Sequence, residues 1–250
     1  MGTLKFKLTV AYDGSSYHGW QTQPSGRGVQ DQVERALARL FRSHPSVVGS
    51  SRTDAGVHAR GLAAHFEVPA EEFRMPAGHL PLALNALLPP DIRVRSAARV
   101  PLAFHARFGT RSKQYRYQVW NHPVMDPLRR NQAWHVPRPL DLAAMRTAAA
   151  DFVGRHDFRA FTTNRGTELL DPVRTLTRCS VRRRGPHVSL IIEGEGFLYK
   201  MCRAIVGTLV QIGYGRYPAT AVPAMLAGKD RRQAGVNAPA HGLVLWQVSY

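Results

Sequence analysis

Short strands that come in pairs, with helices between the pairs, limit how this chain can fold more than any other feature. From Thr3 to Tyr12 apolar and polar residues alternate, which predicts a half-buried strand ended by the turn residues Asp13-Gly14. Apolar residues then recur at helical spacing over residues 29–42. Further strands are predicted at residues 46–51, 63–68, 92–100, 112–120, 173–183, 187–193 and 243–250, and further helices at 78–88, 142–153 and 197–212. This grouping favours an α+β fold over an alternating parallel one. A boundary near residues 103–107 would divide the chain into an N-terminal half, 1–104, and a C-terminal half, 105–250.

The charge of the chain points to a polyanionic partner. Among 250 residues, 34 are Lys or Arg and 17 are Asp or Glu, a formal net charge of +17. Repulsion between so many positive charges lowers the stability of a fold. A folded protein usually carries such an excess because it binds a partner with a phosphate backbone. Lys occurs at only five positions, and Arg offers both a planar fork for phosphate and a face that stacks on bases. A general bias toward Arg does not explain the excess of positive over negative residues, because such a bias could raise the number of acidic residues equally. We therefore expect nucleic-acid binding.

Several classes of protein do not fit this sequence. No apolar run approaches the ~18 residues that a membrane helix needs, and the first ten residues lack the apolar core of a signal peptide. Cys179 and Cys202 are too few for a disulfide framework, so we expect them only to pack, in a cytoplasmic protein. The histidines show no metal-ligand spacing, and no phosphate-binding glycine motif is complete. We expect chemistry on ordinary side chains, with no metal and no cofactor.

The segment at residues 49–59 carries one acid among small residues. Asp54 lies between Arg52 and His58 in the chain, and small neighbours would let a ligand approach the backbone. Adjacent cations lower the pKa of an Asp and keep it available as a carboxylate nucleophile or base. The alternative is a turn in which Asp54 caps a backbone N–H, and composition by itself favours that turn.

The string Arg-Thr-Asp-Ala-Gly-Val-His at residues 52–58 resembles the catalytic motif of the tRNA pseudouridine synthase A family. Other segments agree with that family in the same order: residues 11–14 with 17–21, 104–107, 115–117, 196–203, 206–209 and 238–243. The resemblance therefore covers nearly the whole chain. One departure is Ser51, where many members carry glycine before the Arg, and it leaves the position of the acid unchanged.

The resemblance implies a chemical role for two residues. Asp54 corresponds to the catalytic carboxylate that starts the detachment and rejoining of the uracil, which turns an N-glycosidic bond into a C-glycosidic one. Arg203 corresponds to an arginine paired with that carboxylate, a partner that a desolvated acid needs to remain charged.

Three further residues are implied to bind the substrate. Tyr115 matches the tyrosine that stacks on the flipped base. Tyr117 lies two residues on and would share its strand face, so the sequence leaves open which of the two stacks. Arg52 is similar to the arginine associated with opening the stem and holding the flipped nucleotide, and Leu243 would form an apolar wall of the pocket.

The resemblance also implies a fold and a partner. The family fold has two ferredoxin-like halves that form a continuous, mostly antiparallel sheet with flanking helices and a central cleft. Its members are homodimers whose RNA cleft uses both subunits, and they act on tRNA at uridines 38, 39 and 40 of the anticodon stem-loop. Two other functions stay open. The charge and size of the chain are equally consistent with a non-catalytic RNA-binding protein, and the same chemistry could belong to a pseudouridine synthase acting on rRNA.

Overall fold

The computed structural model describes residues 2–163 and 171–250 and consists of two compact units. The first unit contains Met1–Arg111 and Leu245–Tyr250, and the second contains Ser112–Val244. Each unit combines antiparallel strands with helices, so the predicted α+β class is confirmed. The predicted helix over residues 142–153 and the hairpin after residue 173 lie on either side of the segment that is not described.

The first unit is built on three antiparallel strands. Its elements are β1 (Thr3–Tyr12), α1 (Val29–Leu40), β2 (Val48–Gly49), β3 (His58–Pro69), α2 (Leu80–Leu87) and β4 (Ile92–Val100). β1 lies between β4 and β3 in the sheet. One face of β1 is apolar and fully buried, and its Phe6 ring stacks on Phe66 of β3 at 5.6 Å. Alternation of this kind places the core on one side of the sheet.

The second unit has a four-stranded antiparallel sheet. Its elements are β5 (Ser112–Trp120), β6 (Trp134–His135), α3 (Leu142–Ala150), β7 (Gly154–Asp157), β8 (Val173–Arg184), β9 (His187–Gly194), α4 (Met201–Gly213) and α5 (Ala221–Gly228). The strand order is β5-β9-β8-β7, and β6 pairs with β5 in parallel. The predicted hairpin turn is confirmed at Gly185, whose φ of 58° is the left-handed conformation that glycine adopts readily. β10 (Leu243–Ser249) follows, and its residues from Leu245 onward belong to the first unit, beside β3.

Several predicted elements have different bounds in the structure, and two of them differ most in where they begin. The helix predicted from residue 197 is α4, which begins at Met201, because Lys200 has a left-handed backbone (φ 59°, ψ 8°) that stops a helix from extending further toward the N-terminus. β3 begins at His58 rather than at residue 63, because it pairs with β1 from Thr3 to Tyr12. That pairing brings β3 directly to the end of the segment that contains Asp54.

The first compact unit runs without interruption as far as Arg111. The backbone N–H of Ala106 donates to Nδ1 of His65 on β3 (3.1 Å), and the Tyr250 hydroxyl donates to the Ala106 carbonyl (2.7 Å). These bonds tie the segment that follows β4 to the first unit. The sequence shows no composition change at that point, and the tie depends on contacts between residues far apart in the chain.

The His65–Ala106 bond should make the stability of the first unit depend on pH. Burial, together with the charges of His105 and Lys5, lowers the pKa of His65 to about 4, although the charge of Glu67 acts in the opposite direction. The folded protein therefore favours the neutral His65 ring. The contribution of this ring to stability is complete above the unfolded pKa of about 6.5, and it is lost as the pH falls toward 4. We expect His65→Asn, which keeps an acceptor near the Nδ1 position, to reduce the loss of unfolding free energy between pH 7 and 4 by about 2 kcal/mol.

Urea unfolding at both pH values measures that difference. His44→Asn is the matched control, because His44 is exposed and its φ of 49° suits Asn. An equal pH dependence in the wild type and in His65→Asn would contradict the prediction.

Candidate active site

The segment that follows β2 holds the acid singled out by the sequence, and we call residues 50–57 the Asp54 loop. Its turn is closed by main chain, since the Val57 N–H donates to the Asp54 carbonyl (3.1 Å). A second loop, between β1 and α1, is bonded to it: the Trp20 N–H donates to the Thr53 carbonyl (3.2 Å), and the Gly56 N–H donates to the Tyr17 carbonyl (3.4 Å). The backbone on either side of Asp54 is thus fixed by neighbouring backbone.

Two glycines allow these loops to touch. A Cβ at Gly14 would lie 2.1 Å from the Val57 carbonyl oxygen, and one at Gly19 would lie 2.3 Å from the Thr53 carbonyl oxygen. Gly19 also has a φ of 90°, which other residues rarely adopt. Both glycines belong to segments that carry the family resemblance, and the close approach explains why a side chain at either position would displace the Asp54 loop.

Polar side chains beneath the loop add to its anchoring. The Tyr12 hydroxyl and the Thr53 hydroxyl are hydrogen-bonded at 2.8 Å in the interior. Burial raises the pKa of Tyr12 well above its usual range, so this hydroxyl is protonated. Nδ1 of the buried His58 lies within reach of both the Gly14 N–H (3.0 Å) and Asp13 Oδ1 (3.1 Å). These contacts hold the middle of the loop and the residue that follows it.

The charged residues of the loop differ in exposure. Asp54 is half-buried and Arg52 is exposed. Asp54 therefore combines a backbone held by hydrogen bonds with a side chain that is partly accessible to solvent.

The two tyrosines of β5 have different environments. Tyr117 is fully buried, and its hydroxyl donates to the Pro239 carbonyl (2.8 Å). Burial raises the pKa of Tyr117 far above its usual range, although the charge of Arg203 acts in the opposite direction. Tyr115 retains 8% of its surface, and its ring meets Phe197 edge to face at 5.0 Å.

Arg203 of α4 is bonded to the segment before β10 at two points. Its Nε donates to the Ala238 carbonyl (2.7 Å), and the Ala238 N–H donates to the Arg203 carbonyl (2.9 Å). Leu243 is buried at the start of β10. Gly242 precedes it and packs against the Tyr117 ring, where a Cβ would lie 2.5 Å from the ring carbon that bears the hydroxyl.

The predicted site residues fall into two groups. Arg52 and Asp54 lie in the first unit, and Tyr115, Arg203 and Leu243 lie in the second. Each group lies within one unit, and the convergence of these residues in one site stays a prediction. The anchoring roles of Tyr12, Gly14 and Gly19 were not predicted, although their presence in the resembling segments was a signal for them.

Metal clusters and membrane-spanning helices are both absent from the described residues. Within residues 2–163 and 171–250, no group of three or more His, Cys, Asp and Glu could hold a metal ion. In the same residues, no helix has the length and apolar character to cross a membrane.

Comparison with known proteins places the chain among tRNA-modifying enzymes. A family model described as tRNA pseudouridine synthase matches residues 8–109 and 148–250. Proteins named tRNA pseudouridine synthase A are similar over almost their whole length. The protein from Syntrophotalea carbinolica is 46% identical over 244 residues, which cover 98% of this chain and 95% of that one. The protein from Bacillus subtilis is 43% identical over 249 residues, 99% of each chain. This chain therefore belongs to the tRNA pseudouridine synthase family of isomerases.

Proposed function

We propose that this protein isomerises uridine to pseudouridine in tRNA, at positions 38, 39 and 40 of the anticodon stem-loop, with Asp54 as the nucleophile. The observation that carries the proposal is the Asp54 loop, in which main-chain bonds from a second loop fix a half-buried acid. A uridine inside a stem is out of reach, so the target nucleotide must flip into the site.

The reaction balances without a cofactor. The bond from the ribose carbon to a ring nitrogen of uracil breaks, and a bond from that ribose carbon to a ring carbon forms. The ring carbon loses a proton and the ring nitrogen gains one, so there is no net oxidation. A carboxylate that attacks and then leaves, together with groups that move one proton, is sufficient.

We assign Arg203 as the partner of the Asp54 carboxylate. Its Nε is bonded to Ala238, and the two terminal amino groups of an arginine side chain have the geometry for a bidentate pair with a carboxylate. Such a pair would keep the acid ionised and would orient it.

Tyr115 is the better candidate for stacking on the flipped base. The Tyr117 hydroxyl is bonded to Pro239 and its ring is closed in by Gly242, so Tyr117 serves packing. Tyr115 shares the strand face and keeps some exposure. This difference favours Tyr115 where the sequence left both tyrosines open.

The remaining assignments rest on the family resemblance. Exposed Arg52 would hold the flipped nucleotide, and buried Leu243 would contribute an apolar wall. We propose a homodimer whose RNA cleft is shared between subunits. A cytoplasmic location suits both a tRNA substrate and two buried cysteines, Cys179 and Cys202, that form no disulfide.

Mapping of pseudouridine in defined RNAs tests this function. Unmodified tRNA and rRNA transcripts are incubated with the protein, and every pseudouridine is located by chemical probing. We expect modification of tRNA at positions 38, 39 and 40 only. Modification confined to rRNA would favour an rRNA synthase, and tight binding with no modification of either RNA would favour a non-catalytic RNA-binding protein.

A further inference from the structure

The first unit contains a concave surface that the proposed chemistry does not use. Its volume is about 350 Å³, and we call it the Arg60 pocket. Three cations line it, Lys7, Arg60 and Arg95, together with the aromatic residues Trp246 and Tyr250. Among the described residues its lining includes no Asp or Glu and no member of the Asp54 loop. The pocket is therefore a cationic site with aromatic walls.

A β-bulge in β3 supplies the first arginine. One residue of β1, the one between Val10 and Tyr12, faces two residues of β3, and those two are Arg60 and Gly61. A Cβ at Gly61 would lie 2.7 Å from the Trp246 carbonyl oxygen, so glycine permits the close approach of β10. Bulges redirect a side chain from the regular alternation of a strand.

A second bulge, on the opposite side of β1, supplies the other arginine. The consecutive residues Thr9 and Val10 pair with Ser96 and Val94 of β4, which leaves Arg95 as the extra residue. The Arg95 guanidinium donates to the Arg60 carbonyl at 3.2 Å. The two bulges therefore meet across β1, and each contributes one guanidinium to the same pocket.

The partners of these cations do not neutralise them. The Arg60 guanidinium lies 4.1 Å from the centre of the Trp246 ring, and Lys7 Nζ lies 5.2 Å from that of Tyr250. Rings and carbonyls orient a cation without cancelling its charge. In the described part of the chain, none of the ion pairs includes Lys7, Arg60 or Arg95.

The neighbouring Lys5 shows the opposite arrangement. It lies two residues before Lys7 on β1, and its Nζ pairs with Glu67 at 2.9 Å. Lys5 is buried and neutralised, whereas the pocket cations are left for an external anion.

We propose that the Arg60 pocket binds a backbone phosphate of the RNA substrate. Stacking on Trp246 covers the face of the Arg60 guanidinium, which leaves its N–H edge to contact phosphate oxygens. A second copy of this chain is a poorer occupant, because two such pockets across a twofold axis would bring six cations together. The identity of the RNA rests on the proposed function, but the charge and geometry of the pocket do not.

Binding of a tRNA transcript at several salt concentrations tests the inference. Arg60→Gln combined with Arg95→Gln should raise the Kd about tenfold, and it should reduce the slope of log affinity against log salt by about one to two. The single-turnover rate of pseudouridine formation at saturating tRNA should stay within about twofold of wild type. Arg60→Lys keeps the charge but loses the planar stack, so its Kd should lie between those of the wild type and Arg60→Gln.

The matched control is Arg39→Gln, which removes an exposed charge from α1, outside the pocket. Its Kd should change less than about twofold. Three results would each overturn the inference: the double variant binds tRNA with wild-type affinity, the control loses as much affinity as the double variant, or the wild-type protein does not bind tRNA. A change of molecular mass by light scattering in the double variant would assign the face to contact between copies instead.

The same reactions separate failure of this inference from failure of the proposed function. If the wild-type protein forms no pseudouridine in tRNA, the proposed function fails, whatever the affinity of the variants. If it forms pseudouridine but the double variant binds tRNA as tightly, only the Arg60 pocket loses its role.

Discussion

Replacing Asp54 by Asn is expected to lower the single-turnover rate of pseudouridine formation by more than about 10⁴-fold, because an amide cannot act as the nucleophile. The affinity for tRNA should change less than about twofold, since a carboxylate adds no attraction toward phosphates. The fold should persist, because the Asp54 loop is held by main-chain bonds at Thr53, Gly56 and Val57 that remain in the variant. Rates on a tRNA transcript, filter binding and thermal unfolding measure the three quantities.

The control for Asp54→Asn is Glu71→Gln, which removes one negative charge from an exposed residue of the same unit. It should leave the rate unchanged. Appreciable turnover by Asp54→Asn would show that the nucleophile is another group, and a large fall in its melting temperature would mean that the carboxylate is needed for folding.

Replacing Arg203 by Lys is expected to lower the single-turnover rate by about 100-fold or more, with a change in Kd for tRNA below about threefold. Lys keeps the positive charge, but one ammonium group cannot both replace the Nε bond to Ala238 and grip a carboxylate with two parallel bonds. Loss of the Ala238 bond should also cost about 1 kcal/mol of unfolding free energy. Urea unfolding measures that cost separately from the rate.

Arg146→Lys controls for the structural part of this effect. Arg146 lies in the same unit, and its Nε also donates to a backbone carbonyl, that of Val181 (3.3 Å). A comparable loss of stability without loss of rate is expected there. If Arg203→Lys retains wild-type turnover, Arg203 does no more than hold Ala238, and the proposed pair with Asp54 is wrong.

Local pattern predicted the fold best where a strand ends at a turn. β1, β4 and β5 have the predicted bounds, since alternation in each stops at residues that favour turns. β6 and β7 were not predicted, because strands of two and four residues are too short to show a period. α5 was also missed, since the residues around Pro223 show little helical amphipathicity.

The candidate site could be predicted only in part. Composition favoured a simple turn around Asp54, and the ordered resemblance of many segments reversed that choice. The proposal of Tyr115 over Tyr117 is supported by the hydrogen bond from the Tyr117 hydroxyl to Pro239, a residue more than a hundred positions away, which no local pattern could indicate. Arg60 and Arg95 gave no signal in the sequence, because a bulge depends on the register of a partner strand.

The return of residues 245–250 to the first unit has a consequence for biosynthesis. A ribosome makes Met1–Arg111 first, yet the strand beside β3 and the Tyr250 hydroxyl that holds Ala106 emerge only after the entire second unit has been translated. Until then the sheet of the nascent N-terminal portion is incomplete, because β3 lacks its partner β10. The unpaired edge of β3 can form wrong pairings with other chains. Maturation of the Asp54-bearing unit is consequently a post-translational event, and a nonsense mutation before codon 245 would impair the part of the enzyme that was synthesised earliest.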